Sequence, residues 1–329
     1  MYKGECIDIK QKILITRRPP VHILNNLMTQ FDVDFWDSEE EPIPSDILMS
    51  KVKEVHGLIC LLTEDINEEV LACATNLIVV SNLAVGYNNI DTKVATNKNI
   101  MVTNTPGVLT ETTADLTFGL MLATARRLVE ATQVVKNGEW KTWSPMFLTG
   151  MDVHGKTLGI IGLGDIGAAV ARRAKGFNMK VLYNNRTPKP ELENELGVQF
   201  VSKETLLSSS DFVCIMTPLT KETENLITID ELKLMKKTAI LINTSRGGIV
   251  NEEDLFVALT NGLIWGAGLD VFKEEPITVD HPLLRLPNVV ALPHIGSASI
   301  ETRTKMWELA AENLLFALNG ETPPNLVNK

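Results

Sequence analysis

The sequence predicts an α/β protein with two domains, each built on a parallel β-sheet. Its 329 residues exceed the size of one ordinary domain. A composition of 44% hydrophobic and 22% charged residues is typical of a globular chain that can fill two cores. Short apolar runs alternate with helical stretches twice, up to residue 106 and again from residue 156. Strands that alternate with helices indicate βαβ units, and therefore parallel sheets.

The first third of the chain contains five predicted strands, with the sequences KILIT, VDFW, GLICLL, LIVVSN and IMVTN. Segments between them, such as INEEVLACAT, place apolar residues at helical spacing. Pro106 and Gly107 end this alternation. One long helix is then predicted over residues 109–138, which contain no proline before the stop at Gly138. Its apolar residues lie all round the helix, which indicates burial on several sides, including a subunit contact.

The second alternation begins at Lys156 and runs through the strand NVVAL. A last helix is predicted over residues 301–318, with an apolar stripe that includes Met306, Leu314 and Ala317. If this helix packs on the first domain, that domain is discontinuous in sequence.

Charge and cysteine usage exclude several classes of protein. A net charge of −10 and a pI near 5.1 argue against nucleic acid or an anionic membrane as the main partner. Four scattered cysteines, Cys6, Cys60, Cys73 and Cys214, fit reduced thiols rather than a disulfide framework. No signal peptide, transmembrane helix or metal site is predicted. We therefore expect a soluble, cytoplasmic protein.

A glycine-rich motif follows the first strand of the second alternation. Within KTLGIIGLGDIGAAVARRAKGF, the spacing Gly162-x-Gly164-x-x-Gly167 lies between a predicted strand and a predicted helix. Glycines at these positions allow a tight turn, close approach to a pyrophosphate, and helix–strand packing. The motif alone is weak evidence, since it also occurs as a plain turn. The flanking strand and the apolar stripe that begins at Ile166 favour a dinucleotide site that includes Leu163 and Asp165.

The end of the next strand indicates which dinucleotide is bound. Enzymes that use NAD keep an acid there for the ribose hydroxyls, whereas this chain has Asn184, Asn185, Arg186 and Thr187. Arg186 can pair with a 2′-phosphate through two N–H donors. The alternative is a solvated arginine in a turn. The pattern favours NADPH over NADH.

Three charged residues follow three further predicted strands. Arg246 follows residues 238–243, Glu275 follows residues 266–271, and His294 follows residues 288–292. Ligands of open parallel sheets bind outside the carboxyl ends of the strands. A guanidinium, a carboxylate and an imidazole together form a set for proton transfer. Each alone has a plainer interpretation, because a single histidine is more often structural and Glu275 could be a surface acid.

The sequence resembles the D-isomer-specific 2-hydroxyacid dehydrogenases, most closely the glyoxylate/hydroxypyruvate reductases, over almost its whole length. The motifs that carry the resemblance are VGYNNID (85–91), NTPGVLTETTADL (104–116), GLGDIG (162–167), NTSRGGIVNEEDL (243–255), GAGLDVFKEEP (266–276) and LPHIGSAS (292–299). NNRT is similar to the NADP-preferring branch. These motifs are highly specific for the family and less so for the substrate.

The resemblance implies the domain organisation. A flavodoxin-like substrate domain would comprise residues 1–106 plus 299–329. A doubly wound, Rossmann-type NADP-binding domain would comprise residues 107–298. Within it, residues 107–150 would supply a dimerisation helix and a tryptophan loop, so a homodimer is expected.

The resemblance also implies a reaction, the reduction of glyoxylate to glycolate and of hydroxypyruvate to D-glycerate. Arg246 would clamp the substrate carboxylate and polarise the ketone. His294 would donate the proton while the nicotinamide delivers the hydride, and Glu275 would hydrogen-bond the imidazole.

Further positions match family residues that bind substrate or cofactor. Backbone N–H groups near Val85 and Gly86 match a second carboxylate contact, and Asp270 matches the partner of the nicotinamide carboxamide. Trp143 matches a tryptophan that reaches the neighbouring subunit's pocket, although Trp140 and Trp143 could equally be ordinary packing residues. Cofactor-lining positions are matched by Thr217, Thr244 and Gly296. Asp165 departs from the pattern, because many relatives carry arginine there, and the acid should weaken cofactor binding slightly.

Two rival functions follow from the same residues. One is the reduction of a bulkier 2-keto acid within the same family. The other is a dinucleotide-sensing binding protein, like the transcriptional corepressors that share the fold and the three charged residues. Formate dehydrogenases carry glutamine where this chain has Glu275.

Overall fold

The structure is a computed structural model that describes residues 10–328. The chain divides into two compact units, one of Met1–Leu109 with Ser299–Lys329 and one of Thr110–Ala298. The first boundary therefore falls after Leu109 rather than at residue 106. Cys6 lies outside the described residues, whereas Cys60, Cys73 and Cys214 are free thiols.

The first unit contains a five-stranded parallel sheet in the order β2-β1-β3-β4-β5. This is the flavodoxin-like order. Strands β3 and β4 are buried throughout, as expected of parallel strands covered on both faces. The elements are β1 (Lys12–Ile15), α1 (Val21–Gln30), β2 (Asp32–Phe35), α2 (Ser45–Lys51), β3 (Gly57–Cys60), α3 (Glu68–Cys73), β4 (Val79–Asn82), α4 (Thr92–Asn97) and β5 (Met101–Thr103).

The second unit begins with two helices, α5 (Thr110–Ala125) and α6 (Leu128–Lys136). A seven-stranded parallel sheet follows, in the order β12-β11-β10-β9-β6-β7-β8. Its elements are β6 (Thr157–Ile161), α7 (Asp165–Gly176), β7 (Lys180–Asn184), α8 (Pro190–Leu196), β8 (Gln199–Phe200), α9 (Lys203–Ser209), β9 (Phe212–Ile215), α10 (Ile229–Leu234), β10 (Ile240–Asn243), α11 (Glu252–Thr260), β11 (Gly266–Leu269) and β12 (Val289–Ala291).

The strand order of this sheet is that of a doubly wound Rossmann fold. The first strand, β6, lies between β7 and β9, so the chain winds outward from it in both directions. Alternate residues of β9 enter apolar clusters on opposite faces of the sheet, Phe212 on one and Val213 on the other. The predicted fold class, two α/β domains of flavodoxin-like and Rossmann type, is confirmed.

The prediction of a single helix over residues 109–138 is wrong, because the structure has two helices there, α5 and α6. Arg127 adopts a left-handed conformation with φ of 53°. The Ala125 carbonyl accepts a hydrogen bond from Met151 N at 2.8 Å, and a Cβ on Gly150 would lie 2.2 Å from that carbonyl oxygen. The returning chain therefore occupies the place where the helix would continue. No proline or glycine in the sequence marks this break.

The helix α5 packs against α7 and the strands β10, β11 and β12, so it is buried on several sides within its own unit. Two ion pairs tie it to α7, because Arg173 lies 2.8 Å from Glu111 and 2.7 Å from Asp115. In contrast, no side chain of α6 is buried.

The last helix, α12 (Ile300–Leu318), packs on β3, β4 and β5 of the first sheet. A Cβ on Gly57 would lie 3.0 Å from Leu314 Cδ1, so the helix lies close to the strand there. The Ser81 hydroxyl of β4 donates to the Ala310 carbonyl at 2.8 Å. None of the helices in the described part of the chain is long and apolar enough to cross a membrane.

Candidate active site

The glycine-rich motif forms the turn between β6 and α7, and close contacts require glycine at two of its three glycine positions. Gly162 has φ of 102°, and a Cβ there would lie 2.7 Å from the Met216 backbone. A Cβ on Gly167 would lie 2.5 Å from the Gly162 carbonyl oxygen. Gly164 is exposed with no atom within 4 Å of a Cβ, so the turn is open on that side. A tight turn that is open at the helix N-terminus fits a pyrophosphate.

The loop after β7 is bonded to the glycine-rich turn. Asn185 Oδ1 accepts a hydrogen bond from Leu163 N at 2.6 Å, and the Asn185 amide group lies 3.4 Å from Leu163 O. Tyr183 supports the same loop, because its hydroxyl accepts from Lys189 N and donates to Glu193, both at 2.7 Å. The Asn185 side chain therefore links the two loops that were expected to bind the dinucleotide.

Arg186 and Thr187 lie beyond this link and are exposed. The pKa of Glu222 lies below its ordinary value, mainly because of the Thr220 hydroxyl and its own backbone N–H. The charge of Arg186 contributes less to this shift. Arg186 is therefore an accessible cation with an acid in its vicinity.

The loop after β10 holds Arg246 in a fold stabilised by Asn243. The Asn243 amide donates to Arg246 O at 2.9 Å, and its Oδ1 accepts from Ser245 N at 3.1 Å. The guanidinium donates to Ser245 O at 2.7 Å. Burial lowers the pKa of Arg246, and Glu275 opposes that shift. A buried guanidinium beside one acid is suited to bind an anion.

The loop after β11 carries Glu275 and crosses the Arg246 loop at close range. A Cβ on Gly247 would lie 1.8 Å from Phe272 O and 2.4 Å from Lys273 N, so only glycine fits there. The Glu275 carboxylate turns back to accept from Phe272 N at 2.9 Å. The positions of Arg246 and Glu275 are thus coupled through backbone contact.

The loop after β12 carries His294 in a left-handed conformation, with φ of 54°. Two hydrogen bonds that Asp270 accepts hold this backbone. His294 N donates to Asp270 O at 2.9 Å, and Ile295 N donates to Asp270 Oδ1 at 2.8 Å. A non-glycine residue adopts this conformation at a cost, which the two bonds offset.

His294 and Glu275 are in direct contact, with Nδ1 2.6 Å from Oε2. An ionised carboxylate can only accept a hydrogen bond, so the proton between the two residues is carried by Nδ1 of His294. The other ring nitrogen, Nε2, is then the site of proton exchange. Burial raises the pKa of Glu275, but His294, Phe272 N–H and Arg246 together outweigh it, and the pKa lies below its ordinary value. Glu275 is therefore an anion at neutral pH.

Asp270 is completely buried, and its Oδ2 atom has no hydrogen-bond partner among the described residues. Burial raises the pKa of Asp270, and the Ile295 N–H, the charge of His294 and the Gly296 N–H partly oppose this. A Cβ on Gly296 would lie 3.3 Å from Oδ2. An unsatisfied buried acceptor of this kind fits a ligand amide.

The remaining predicted cofactor positions also lie beyond carboxyl ends of this sheet. Thr217 follows β9, and its N atom lies 2.8 Å from a Cβ built on Gly162. Thr244 follows β10, and its hydroxyl lies 2.6 Å from the Thr117 hydroxyl of α5. Sequence reasoning missed the supporting residues Thr117 and Asn243. An asparagine at a strand end is a recognised turn signal, whereas the Thr117 contact has no local signal.

The Val85–Gly86 loop lies in the first unit, after β4. The Asn104 amide donates to Val85 O, and the Asn82 amide donates to Gly86 O, both at 2.8 Å. Two side chains therefore fix the peptide groups of this loop.

Trp143 lies in the loop after α6 and is 78% exposed, so it is not a core residue of this chain. Trp140 is 59% exposed, and its indole N–H donates to Thr142 O at 3.0 Å. Of the alternative, ordinary core or loop packing, this exposure contradicts only the packing in a core.

Comparisons with known proteins identify the family of the chain. Residues 118–296 match the family described as D-isomer specific 2-hydroxyacid dehydrogenase, NAD binding domain. A glyoxylate reductase of Pyrococcus horikoshii is 53% identical over 325 residues, which cover 98% of this chain and 97% of the relative. A glyoxylate reductase of Korarchaeum cryptofilum is 51% identical over 322 residues, covering 98% and 97% of the two chains.

Solved structures extend the similarity to the whole fold. A Thermus thermophilus protein of 45% identity has a TM-score of 0.90 and covers 96% of this chain and 99% of its own. An NADPH-dependent glyoxylate/hydroxypyruvate reductase of Sinorhizobium meliloti, in complex with NADP and malonate, is 32% identical with a TM-score of 0.83. The match covers 97% of each chain. With its two sheets, its glycine-rich turn and its charged strand ends, the chain belongs to the D-isomer-specific 2-hydroxyacid dehydrogenase family.

Proposed function

We propose that this protein is an NADPH-dependent reductase of glyoxylate and hydroxypyruvate, forming glycolate and D-glycerate. The observation that carries the proposal is the 2.6 Å contact between Glu275 and His294. Beside it lies the buried Asp270, one oxygen of which has no hydrogen-bond partner in the described part of the chain. An imidazole with a carboxylate on Nδ1 can hold a proton on Nε2 and release it to a carbonyl oxygen. The names of the relatives support glyoxylate as the substrate.

Arg246 and His294 divide the work on the keto acid. The Arg246 guanidinium binds the carboxylate and the neighbouring ketone oxygen, which orients the substrate and draws charge toward that oxygen. His294 Nε2 then supplies the proton to the same oxygen. Glu275 remains ionised, because its pKa lies below the ordinary value, and it stabilises the imidazolium that precedes this transfer.

The dinucleotide fits the residues of the second unit. The turn at residues 162–167, including Leu163, Asp165 and Ile166, would hold the pyrophosphate, and Asp270 would accept from the carboxamide. When bound, the nicotinamide supplies the hydride. Thr217, Thr244 and Gly296 would line the same site.

NADPH is favoured because Arg186 and Thr187 are accessible and no carboxylate follows β7 in the loop of residues 184–187. Asn185 acts indirectly, by holding the backbone of Leu163 at 2.6 Å. The Sinorhizobium meliloti relative is described as NADPH-dependent and was solved with NADP, which supports the same preference. The nearby carboxylate of Glu222 opposes this preference, because it would repel a 2′-phosphate.

A second copy of the chain is the proposed partner. Apolar side chains are exposed along α6 and the tryptophan loop, at the positions Leu128, Val129, Val135, Trp140, Trp143, Met146 and Phe147. A patch of this kind on one subunit indicates an interface. We expect a homodimer in which Trp143 limits the partner's pocket to small substrates. Roles of Val85 and Gly86 in carboxylate binding remain predictions, and the free thiols fit a cytoplasmic setting.

The test is a steady-state kcat/KM comparison of glyoxylate, hydroxypyruvate, pyruvate and phenylpyruvate with both NADPH and NADH. We expect the highest values for the first two acids with NADPH. Arg246→Ala and His294→Ala should each lower kcat/KM by at least about 10²-fold, since each removes a charge that acts in the transition state. A preference for phenylpyruvate would favour the bulkier-substrate rival. Peptide binding that depends on the dinucleotide, without turnover, would favour the corepressor-like rival.

A further inference from the structure

We propose that Glu252 is a positioning residue for catalysis, because its carboxylate holds the loop that presents Glu275 to His294. The inference rests on the proposed roles of Glu275 and His294. Glu252 touches neither of these residues and acts through the backbone between β11 and Pro276.

Glu252 is the first residue of α11 and lies where that helix meets the β11 loop. Its Oε1 accepts a hydrogen bond from Lys273 N at 2.6 Å. Its Oε2 lies 3.3 Å from His281 Nε2, on the segment that follows the same loop. The Glu252 side chain is only 17% exposed. One carboxylate therefore ties α11 to both sides of the loop.

The held backbone is adjacent to the group that binds Glu275. Lys273 N bonds to Glu252, and the preceding Phe272 N donates to Glu275 Oε1 at 2.9 Å. The other oxygen of Glu275 is the one 2.6 Å from His294 Nδ1. Two consecutive N–H groups thus connect Glu252 to the carboxylate that orients the imidazole. A shift at Lys273 changes the direction of the Phe272 N–H and of the Glu275 side chain.

The loop needs such an anchor because packing holds little of it. Lys273, Glu274, Glu275 and Pro276 are all exposed residues. A cavity of about 350 Å³ lies against the loop and is lined by Glu252, Glu253, Lys273, Glu274, Ile277 and His281, among others. Without the Glu252 carboxylate, the Lys273 backbone has room to move into this cavity. Hydrogen bonds from backbone N–H groups to carboxylates are about twice as strong as neutral ones, which suits this task.

The experiment combines single variants with a double-mutant cycle. Glu252→Ala, Glu252→Gln and Glu275→Gln are measured alone, and Glu252→Ala is also measured in the Glu275→Gln background. Glu253→Ala is the matched control, because Glu253 is exposed on the same helical turn and lines the same cavity. The readouts are kcat with glyoxylate, KM for NADPH and the thermal unfolding midpoint.

We expect Glu252→Ala to lower kcat about tenfold, since sub-ångström misplacement of a catalytic group has effects of this order. KM for NADPH should change less than about twofold. Glu252→Gln should recover most of the activity, because its amide oxygen can still accept from Lys273 N. In the Glu275→Gln background, Glu252→Ala should have less than about a twofold further effect, because the group it positions is already impaired.

The cycle separates this inference from the proposed function. A Glu275→Gln variant with wild-type kcat would contradict the role of Glu275 itself. If Glu275→Gln lowers kcat but Glu252→Ala matches Glu253→Ala, Glu252 does not position the loop. Fully additive losses in the cycle would also overturn the inference, since they indicate a general effect of destabilisation. Glu252→Asp replaces Glu252→Ala in the cycle, with the same outcomes, if the alanine variant does not fold.

Discussion

The close contact at Gly247 predicts that Gly247→Ala impairs catalysis while sparing the glycine-rich turn. A Cβ there would lie 1.8 Å from Phe272 O, whereas real Cβ contacts are essentially never under 3.0 Å. One of the two loops must therefore move by at least the difference, about 1.2 Å. Gly247 does not have the positive φ that would disfavour alanine, so the steric contact alone is tested.

A displacement of that size separates Arg246 from Glu275, because the two loops carry these residues. It also disturbs the contact of Glu275 with His294, which lies on a third loop. Misplacement by about 1 Å costs on the order of 10² in rate. Overpacking also destabilises a fold by about 1–3 kcal/mol. We expect kcat with glyoxylate to fall about 10²-fold and the protein to remain folded. The NADPH dissociation constant should change less than kcat, since the turn proposed to hold the pyrophosphate, Gly162–Gly167, is not one of the two colliding loops.

The assay is NADPH oxidation at saturating glyoxylate, with NADPH binding and thermal unfolding measured in parallel. Gly119→Ala is the control, because Gly119 lies exposed in α5, and among the described residues a Cβ there would meet no atom within 4 Å apart from the adjacent backbone of its own helix. That change should stabilise the protein by about 0.5–1 kcal/mol and leave kcat unchanged. A Gly247→Ala variant with kcat within about threefold of wild type would refute the coupling of the two loops.

Three further predictions follow from the charges and the exposed surface. Arg186→Ala should raise KM for NADPH about tenfold or more and change KM for NADH little. Glu222→Gln should lower KM for NADPH by up to about fivefold. Equal effects on both cofactors would contradict a 2′-phosphate site. The lowered pKa of Glu275 means that its contacts with His294, the Phe272 N–H and Arg246 add stability above the ordinary value of 4.5. This stability is lost as pH falls through the lower folded pKa. Glu275→Gln should therefore lower the thermal unfolding midpoint at pH 7, and the difference from wild type should shrink below pH 4.5. A difference that stays constant with pH would argue against these contacts of the ionised Glu275. Val135→Glu, which places a charge on an apolar side chain that is 60% exposed, should shift the sedimentation coefficient toward that of a monomer, and a wild-type value would exclude α6 from the interface.

Sequence patterns were sufficient for the fold because they are local. Each strand is a short apolar run, and the glycine-rich turn requires its residues at fixed spacing. The placement of Arg246, Glu275 and His294 just after strands followed from a general rule about parallel sheets. The three residues come from separate segments of the chain. The rule predicts that they lie at the same edge of the sheet, and it gives no distances between their side chains.

The unpredicted features depend on contacts between distant segments. The helix break near Arg127 arises where residues 150 and 151 cross the end of α5. The local sequence, Arg126 and Arg127, contains no helix-breaking residue that would predict it. Asn185 was predicted as a cofactor-binding residue from its place after β7, and nothing local showed that its Oδ1 accepts from Leu163 N on another loop. Glu252 reads as an ordinary acid in the first turn of a helix, which is a common place for acids. Its bond to Lys273 becomes visible only when the loops are folded together.

The break between α5 and α6 also divides the second unit into parts of unequal local stability. Most residues of α5 that face the sheet are buried, whereas α6 buries none of its side chains. Amide hydrogens of α5 should therefore exchange with solvent only when the unit unfolds as a whole. Those of α6 need only a local opening, which few contacts within the subunit oppose. Protection of α6 from exchange thus reports directly on whatever covers its apolar side chains.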